Sequence, residues 1–361
     1  MRILITGAFG FVGTNLAAYL AARGHYLIAL DVVHQESSAY SECFSWEQFD
    51  RLDWESVDAV VHLAGKAHDT RNASDSQSYF DVNVGLTKKV IERFSRKDAK
   101  TQREEMGRIK KFILFSSVKA VADQVTGVLT EEAVPDPKTP YGQSKLEAER
   151  EVLKFGSAER SSKIRECVSS KGDECEDEES NFSTLAPQNF RTYILRPCMI
   201  HGPGNRGNLN LLYKIVQKGI PWPLGAFENR RSFASIDNVC AVVDGLLTGD
   251  GPSGVYQVAD DETLSTNELI GLIAEATGRR ARIWKVPAGW MHGVARVGDV
   301  LRLPLNSERL KKLTESYVAS NEKIKEVLGW KAMPIRAEDG MRKTLTDFSR
   351  KGAKTLRGST L

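Results

Sequence analysis

The chain has 361 residues, 41% hydrophobic and 27% charged, with a formal net charge of +3. That length suits one large α/β domain with a smaller lobe, and the near-neutral balance gives no reason to expect a nucleic acid or an anionic membrane as main partner. No apolar segment reaches ~20 residues, Met1 runs straight into a strand-like stretch without a signal peptide, and Cys43, Cys167, Cys175, Cys198 and Cys240 lack metal-ligand spacing. A reducing, cytoplasmic setting without a bound metal is expected.

Arg2 to Thr6 reads as a short buried strand, followed by Gly7-Ala-Phe-Gly10-Phe-Val-Gly13 and a helix from Thr14 to Arg23 that Gly24 stops. Tyr26 to Leu30 is a second apolar strand, closed by Asp31. Strand, spaced glycines, helix, strand and acid form the setting a dinucleotide fingerprint needs. Gly7 and Gly10 permit a tight turn, and the backbone through Phe11, Val12 and Gly13 can meet a pyrophosphate at the helix N-terminus. Asp31, eighteen residues after Gly13, is placed for the adenosine ribose hydroxyls. A carboxylate there repels a 2′-phosphate, so NAD is expected over NADP.

Asp58 to Leu63 is the next buried strand, ending in His62-Leu63-Ala64-Gly65, with His62 expected as a satisfied histidine rather than a catalyst. Ser78 to Phe94 reads as a helix carrying Asn83, and the charged run from Ser95 to Lys111 as a solvated helix end and loop. Phe112 to Phe115 is a core strand delivering Ser116 and Ser117 at its C-terminal end, the edge where open parallel sheets bind ligands. After Pro135, Pro137 and Pro140, Tyr141-Gly-Gln-Ser-Lys145 opens a helix to about Phe155. A tyrosine and a lysine four apart share one helix face. An ammonium beside a phenol, whose pKa is ~10 when free, is expected to lower it toward neutrality for acid/base work.

Residues 156–189 include six acids in nine residues (Gly172 to Ser180) and read as an acidic surface insertion. Thr192 to Leu195 resumes the sheet and ends at Arg196-Pro197. Helices are then expected over Leu209 to Lys218 and Asp237 to Leu247, and strands over Phe233 to Ile236, Val255 to Val258 and Arg282 to Val286. Ser265-Thr-Asn-Glu268 is a capping box that opens a helix to about Thr277. The expected division is a domain over residues 1–200 to which 233–260 return, a lobe mainly over 201–348, and a frayed tail over 349–361.

These motifs, with Asn83-Val84 and the later Leu195-Arg-Pro197, His201-Gly-Pro-Gly204, Arg231-Ser-Phe233 and Leu328-Gly-Trp330, resemble the NAD-dependent epimerase/dehydratase family of the extended short-chain dehydrogenase/reductase superfamily. The resemblance covers roughly Met1 to Phe348, apart from the acidic insertion. It implies a Rossmann-type doubly wound parallel sheet binding NAD and a smaller C-terminal α/β lobe binding a nucleotide-sugar. It also implies a homodimer paired through the Asn83 and Tyr141 helices. Carried over, Tyr141 is the acid/base at the sugar hydroxyl, Lys145 holds the nicotinamide ribose, and Ser117 bonds the reacting oxygen. Ser116 falls near the cofactor, Leu63, Ala64 and Gly65 line it, Asn83 lies toward the nicotinamide, and Pro197 lies at the carboxamide end. Asn208 and Leu209 match the segment that cradles the base. Arg231 matches the arginine on the diphosphate, a task for its bidentate fork, with Arg230 beside it as the alternative.

The chain also departs from the family pattern. Family 4,6-dehydratases carry an Asp-Glu pair after the catalytic Thr, where this chain has Val118 and Lys119, so elimination of a C6 hydroxyl lacks its acid and base. Val121-Ala122 replace the usual Tyr-Gly, and the irregular stretch from Ser41 to Asp53 shows no acid for adenine. Ser117-Val-Lys-Ala120 and Leu224 to Ser232 resemble members acting on UDP-N-acetylhexosamine-type sugars, including 4-keto reductases. The expected activity is nucleotide-sugar 4-epimerisation through a 4-keto intermediate, with an NAD(P)H-dependent 4-ketosugar reductase as alternative. A non-catalytic dinucleotide-binding regulator is a third reading, which the presence of Ser117, Tyr141 and Lys145 disfavours.

Overall fold

Short apolar runs become strands buried on both faces, as parallel sheets require. The computed structural model describes residues 1–33, 35–66, 76–95, 109–168, 190–205, 209–301 and 306–358. The chain divides into one unit of residues 1–123, 131–197 and 242–257 and a second of 124–130, 198–241 and 258–361. In the first unit the strands are β1 (Arg2–Thr6), β2 (Tyr26–Asp31), β3 (Glu42–Ser45), β4 (Ala59–His62) and β5 (Lys110–Phe115). After β6 (Val128–Leu129) of the second unit, β7 (Phe190–Pro197) and later β10 (Gly254–Val258) complete a seven-stranded sheet of order β10-β7-β5-β4-β1-β2-β3. The pairs β1–β2, β1–β4, β2–β3, β4–β5 and β5–β7 all run parallel. Strand order reverses between β1 and β4, the switch point beside which doubly wound folds bind ligands.

Helices α1 (Phe11–Ala21), α2 (Gln77–Phe80), α3 (Leu86–Ser95) and α4 (Pro140–Val168) belong to this unit. A core cluster including Leu4, Ile28, Val60, Phe94, Phe112 and Val152 packs sheet against helices. The second unit holds two-stranded sheets β8 (Met199–His201) with β9 (Phe233–Ser235), and β6 with β11 (Val318–Ala319). Its helices are α5 (Leu209–Gln217), α7 (Thr266–Ala276), α8 (Ala288–Leu301), α9 (Ser307–Thr314), α10 (Glu322–Leu328) and α11 (Ala337–Gly358), while α6 (Ile236–Thr248) carries the chain back to the first unit. The capping box forms: Glu268 N–H donates to Ser265 Oγ (3.0 Å), and Ser265 N–H to Glu268 Oε2 (2.7 Å). No helix among the described residues is long and apolar enough to cross a membrane.

Several expectations are corrected. The irregular stretch after Ser41 contains β3, whose partner β2 aligns Ile28 with Glu42 through Asp31 with Ser45. Lys110 and Lys111 are not solvated: they lie in β5, 7% and 5% exposed. Lys111 Nζ donates to the carbonyls of Leu246 (3.1 Å) and Leu247 (2.7 Å) at the end of α6, so the ammonium caps a helix C-terminus. Helix α4 continues past Phe155 to Val168, because its Ala, Glu, Arg and Lys residues outweigh the roughly 1 kcal/mol cost of Gly156. Of the acidic insertion, residues 169–189 lie outside the described residues, as do 96–108 of the charged run. Helix α11 likewise continues through the expected tail to Gly358. In place of a strand over Arg282 to Val286 there are isolated bridges, Trp222 with Ile283 and Leu224 with Lys285.

Candidate active site

The site is built first by the turn after β1. Gly7 takes φ +66, and a Cβ added there would meet Ala64 N at 2.8 Å. At Gly13 an added Cβ would lie 2.5 Å from the carbonyl oxygens of Gly7 and Ala8. Helix α1 starts at Phe11, three residues before the expected Thr14, with Gly10 as an N-cap that makes no side-chain bond. Its first-turn amides therefore lack a side-chain acceptor, the usual condition of a phosphate-binding helix start. Asp31 is fixed at the end of β2, Oδ2 accepting from Phe9 N–H (2.9 Å) and Oδ1 from Val32 N–H (2.7 Å). A carboxylate offers about four lone-pair sites, so capacity for two ribose hydroxyls remains. This tight glycine turn, open helix start and terminal acid fit a dinucleotide.

Tyr40 completes the loop from below and was not marked by any sequence motif. Its buried hydroxyl donates to the carbonyls of Ala8 (2.9 Å) and Gly13 (3.2 Å), and its ring meets Phe9 edge-on at 5.7 Å. Burial holds its phenol well above the ordinary value. Tyr40→Phe leaves two buried carbonyls without that donor, at about 1–3 kcal/mol. We expect NAD affinity to fall about tenfold, read by calorimetric titration, with the circular dichroism spectrum unchanged.

Ser117, Tyr141 and Lys145 converge at the ends of β5 and α4. Ser117 caps a short 3₁₀ turn, Oγ accepting from Lys119 N–H at 3.2 Å, which leaves its proton for a hydrogen bond to Tyr141. Gly142 permits the approach: a Cβ there would lie 2.4 Å from the Lys119 carbonyl oxygen. Gly142→Ala is expected to push α4 off this turn and cost about 1–3 kcal/mol, seen as a lower melting temperature together with reduced turnover. Lys145 Nζ donates to the Phe115 carbonyl at 3.0 Å, and an added Cβ at Gly65 would sit 3.0 Å from that ammonium.

The electrostatics correct one expectation. The Tyr141 phenol is raised rather than lowered: burial outweighs the opposing hydrogen bond from Ser117, and the nearby Tyr79 adds to the rise. Burial instead acts on Lys145, pushing its ammonium down to about 8 against the opposing pull of Glu149. His62 is a core residue but not the fully satisfied one expected: its buried Nε2 has no hydrogen-bond partner among the described residues. It is 1% exposed, its Nδ1 lies 2.8 Å from Thr6 Oγ1, and burial pushes it down to about 3.

Behind the triad stand two groups whose role the sequence did not disclose. Glu149, 1% exposed on α4, accepts from Ser116 Oγ and from Arg196 Nε (2.9 Å) and Nη2. Ser116 thus spends its hydroxyl on Glu149, and one carboxylate ties the ends of β5 and β7 to α4. Asn83 sits on a π-helical turn, Asp81–Gly85, between α2 and α3. Its Oδ1 accepts from Lys66 N–H (2.8 Å), and its Nδ2 donates to Ser144 Oγ (2.9 Å). It therefore anchors the Leu63-Ala64-Gly65 segment to the Tyr141 helix, a use consistent with the functional bias of π-bulges. Pro197 is buried at the end of β7.

Among the candidates in the second unit, Asn208 lies outside the described residues. Leu209 is 3% exposed and packs in that unit's core, so only its backbone is available to a base. Arg231 is half-buried, Nε donating to the Glu315 carbonyl at 3.1 Å, which orients the guanidinium plane. Arg230 is exposed and 3.6 Å from Glu268. Among the described residues no cluster of His, Cys, Asp or Glu could hold a metal.

A glycine-turned βαβ unit with a terminal acid, and a Tyr–Lys pair facing a serine, define a dinucleotide-dependent enzyme of the oxidoreductase and isomerase kind. The model of the NAD dependent epimerase/dehydratase family matches residues 3–259, and the chain belongs to that family, with NAD as its cofactor. It is 28% identical to UDP-glucose 4-epimerase of Vibrio cholerae, over 96% of this chain and 95% of that one. It is 23% identical to GDP-6-deoxy-D-mannose reductase of Pseudomonas aeruginosa, over 96% and 97%. The solved structure of MoeE5 in complex with UDP-glucuronic acid and NAD matches with a TM-score of 0.67 at 20% identity, over 97% of this chain and 100% of that one, a likeness of fold.

Proposed function

We propose that the protein is a nucleotide-sugar 4-epimerase acting on a UDP-hexose. The observation that carries this reading is the intact Ser117–Tyr141–Lys145 set followed by Val118 and Lys119, where a dehydratase would need carboxylates. Lys119 Nζ is instead tied to the Asp123 carbonyl at 2.7 Å. NAD, when bound, would supply the hydride acceptor and donor for C4 of the sugar. Tyr141 removes the C4 hydroxyl proton as the 4-keto sugar forms and gives it back when the opposite face is reduced. Ser117, which donates to Tyr141 in this structure, would turn its proton to the reacting oxygen when substrate binds, and Lys145 would place its positive charge beside the ribose. Gly7, Gly10, Phe11, Val12 and Gly13 would receive the pyrophosphate, Asp31 the adenosine ribose, and Leu63, Ala64, Gly65 and Pro197 the remaining cofactor wall. Asn83 and Ser116 would support that wall rather than touch it. Arg231, already oriented, would take the diphosphate, with the backbone at Leu209 beside the base.

The likeness to a reductase keeps a second reading, a 4-ketosugar reductase consuming NAD(P)H. Denaturing the purified protein and assaying the supernatant separates the two. Near-stoichiometric NAD, with UDP-hexose epimerised without added cofactor, supports the epimerase. An empty site and a strict requirement for stoichiometric NAD(P)H would replace it with the reductase. That Cys43, Cys198 and Cys240 form no disulfide among the described residues supports a cytoplasmic setting for this activity. We further propose a homodimer paired through α3 and α4; a monomer in light scattering at micromolar concentration would refute it.

A further inference from the structure

Helix α8 presents three faces, and only one is spent on the core of its own unit. Met291 and Ala295 are 5% and 0% exposed, and Gly298 is buried beside them. His292, Arg296 and Asp299 form an exposed polar face. Trp290, Val294, Val297 and Leu301, spaced at four, three and four residues, form a third face that is apolar and open to solvent. Trp290 is 75% exposed and Leu301 63%, and Trp284, four residues before the helix, is 59% exposed. A continuous apolar stripe of this kind marks an interaction surface rather than scattered exposure.

The charge around it identifies the partner. Lys285, three residues before the helix, Arg296 on it and Lys311 on α9, which packs against it, are all exposed, and among the described residues none has an ion-pair partner. Over residues 279–311 the acids are Asp299, held by Ser307, and Glu308. The whole-chain charge of +3 averages this basic neighbourhood away. Two copies of the chain meeting here would press one cationic rim against another. A sheet of anionic headgroups would neutralise the rim while its acyl boundary takes the apolar stripe and the tryptophans.

We propose that α8 is an interfacial helix that seats the protein on an anionic lipid bilayer, lying in the headgroup plane without crossing it. The proposal is independent of the sugar chemistry above.

The test is co-sedimentation of the full chain with phosphatidylcholine vesicles, with and without phosphatidylglycerol. We expect binding that needs phosphatidylglycerol, weakens with salt and blue-shifts tryptophan fluorescence. Trp290→Ser with Val297→Ser should lower vesicle affinity at least about tenfold while circular dichroism and melting stay unchanged, since both side chains are exposed. Lys285→Glu with Arg296→Glu should remove the phosphatidylglycerol dependence by a separate route. Trp290→Phe should retain binding and lose only the Trp290 share of the blue shift, with Trp284 supplying the rest. The proposal is overturned if wild type does not sediment with either vesicle, or if both double variants bind like wild type. It is equally overturned if light scattering shows self-association that the Trp290 variant abolishes.

Discussion

Tyr141→Phe is expected to lower kcat by about 10²–10⁴-fold, the range that one positioned acid/base supplies. The change deletes one oxygen at the start of α4 and leaves the ring, its edge-on contact with Tyr79 at 6.2 Å and the helix intact. NAD retention and melting temperature should therefore stay close to wild type while hydride transfer stops. Turnover, single-turnover reduction of bound NAD and a thermal melt check it together, and a variant that retains full activity would refute the assignment. Wild-type kcat should climb with pH through neutrality, because burial raises the phenol that must ionise. The climb should bend near pH 8, where Lys145 gives up its positive charge.

Glu149→Gln should be the most destabilising single change at this end of the sheet. Arg196 is 4% exposed, and losing the carboxylate strands a buried guanidinium, at about 3–5 kcal/mol. For a chain of this size that is roughly five degrees in the melting temperature. Replacing both partners with apolar residues, Glu149→Leu with Arg196→Met, should recover much of the loss, because no charge is left unpaired. The pH profile supplies a second readout. Glu149 opposes the burial of Lys145, so without it the lysine deprotonates lower and the bend near pH 8 should move to more acidic pH. A melt unchanged in Glu149→Gln would refute the buried pair. Lys145 also shapes stability directly: the folded chain releases its proton near 8 and the unfolded chain near 10.5, so stability should rise with pH across that window.

What could be read in advance follows from how far apart the interacting groups lie in the chain. The glycine turn, Asp31 and the Tyr–Lys pair declare themselves because each role is set by local spacing on one turn, strand end or helix face. Tyr40 does not, since its hydroxyl answers to carbonyls 32 and 27 residues earlier. Glu149 reads as one more charge on a polar helix until β5 and β7 bring Ser116 and Arg196 to it, from 33 and 47 residues away. Asn83 was visible as a motif, but its work on Lys66 and Ser144 depends on a π turn that no periodicity announces. The upward shift of the Tyr141 phenol is hidden from the sequence for a related reason. Adjacency to a lysine is a sequence property, whereas burial is a property of the assembled sheet. Lys111 makes the same point, a charged residue in a charged run that ends in the core.

The interleaving of the two units has a consequence for synthesis. Lys111 reaches the Gly249 carbonyl across 138 residues, and β10, which flanks β7, is made later still. At ribosomal speed that separation is on the order of ten seconds. During that interval the lysine at the base of β5 has no helix end to cap, and from the completion of β7 at Pro197 until β10 begins at Gly254 the β7 edge is uncovered. The nascent chain therefore carries an adhesive strand edge until about residue 258 emerges, and co-translational chaperones would be needed most in that interval.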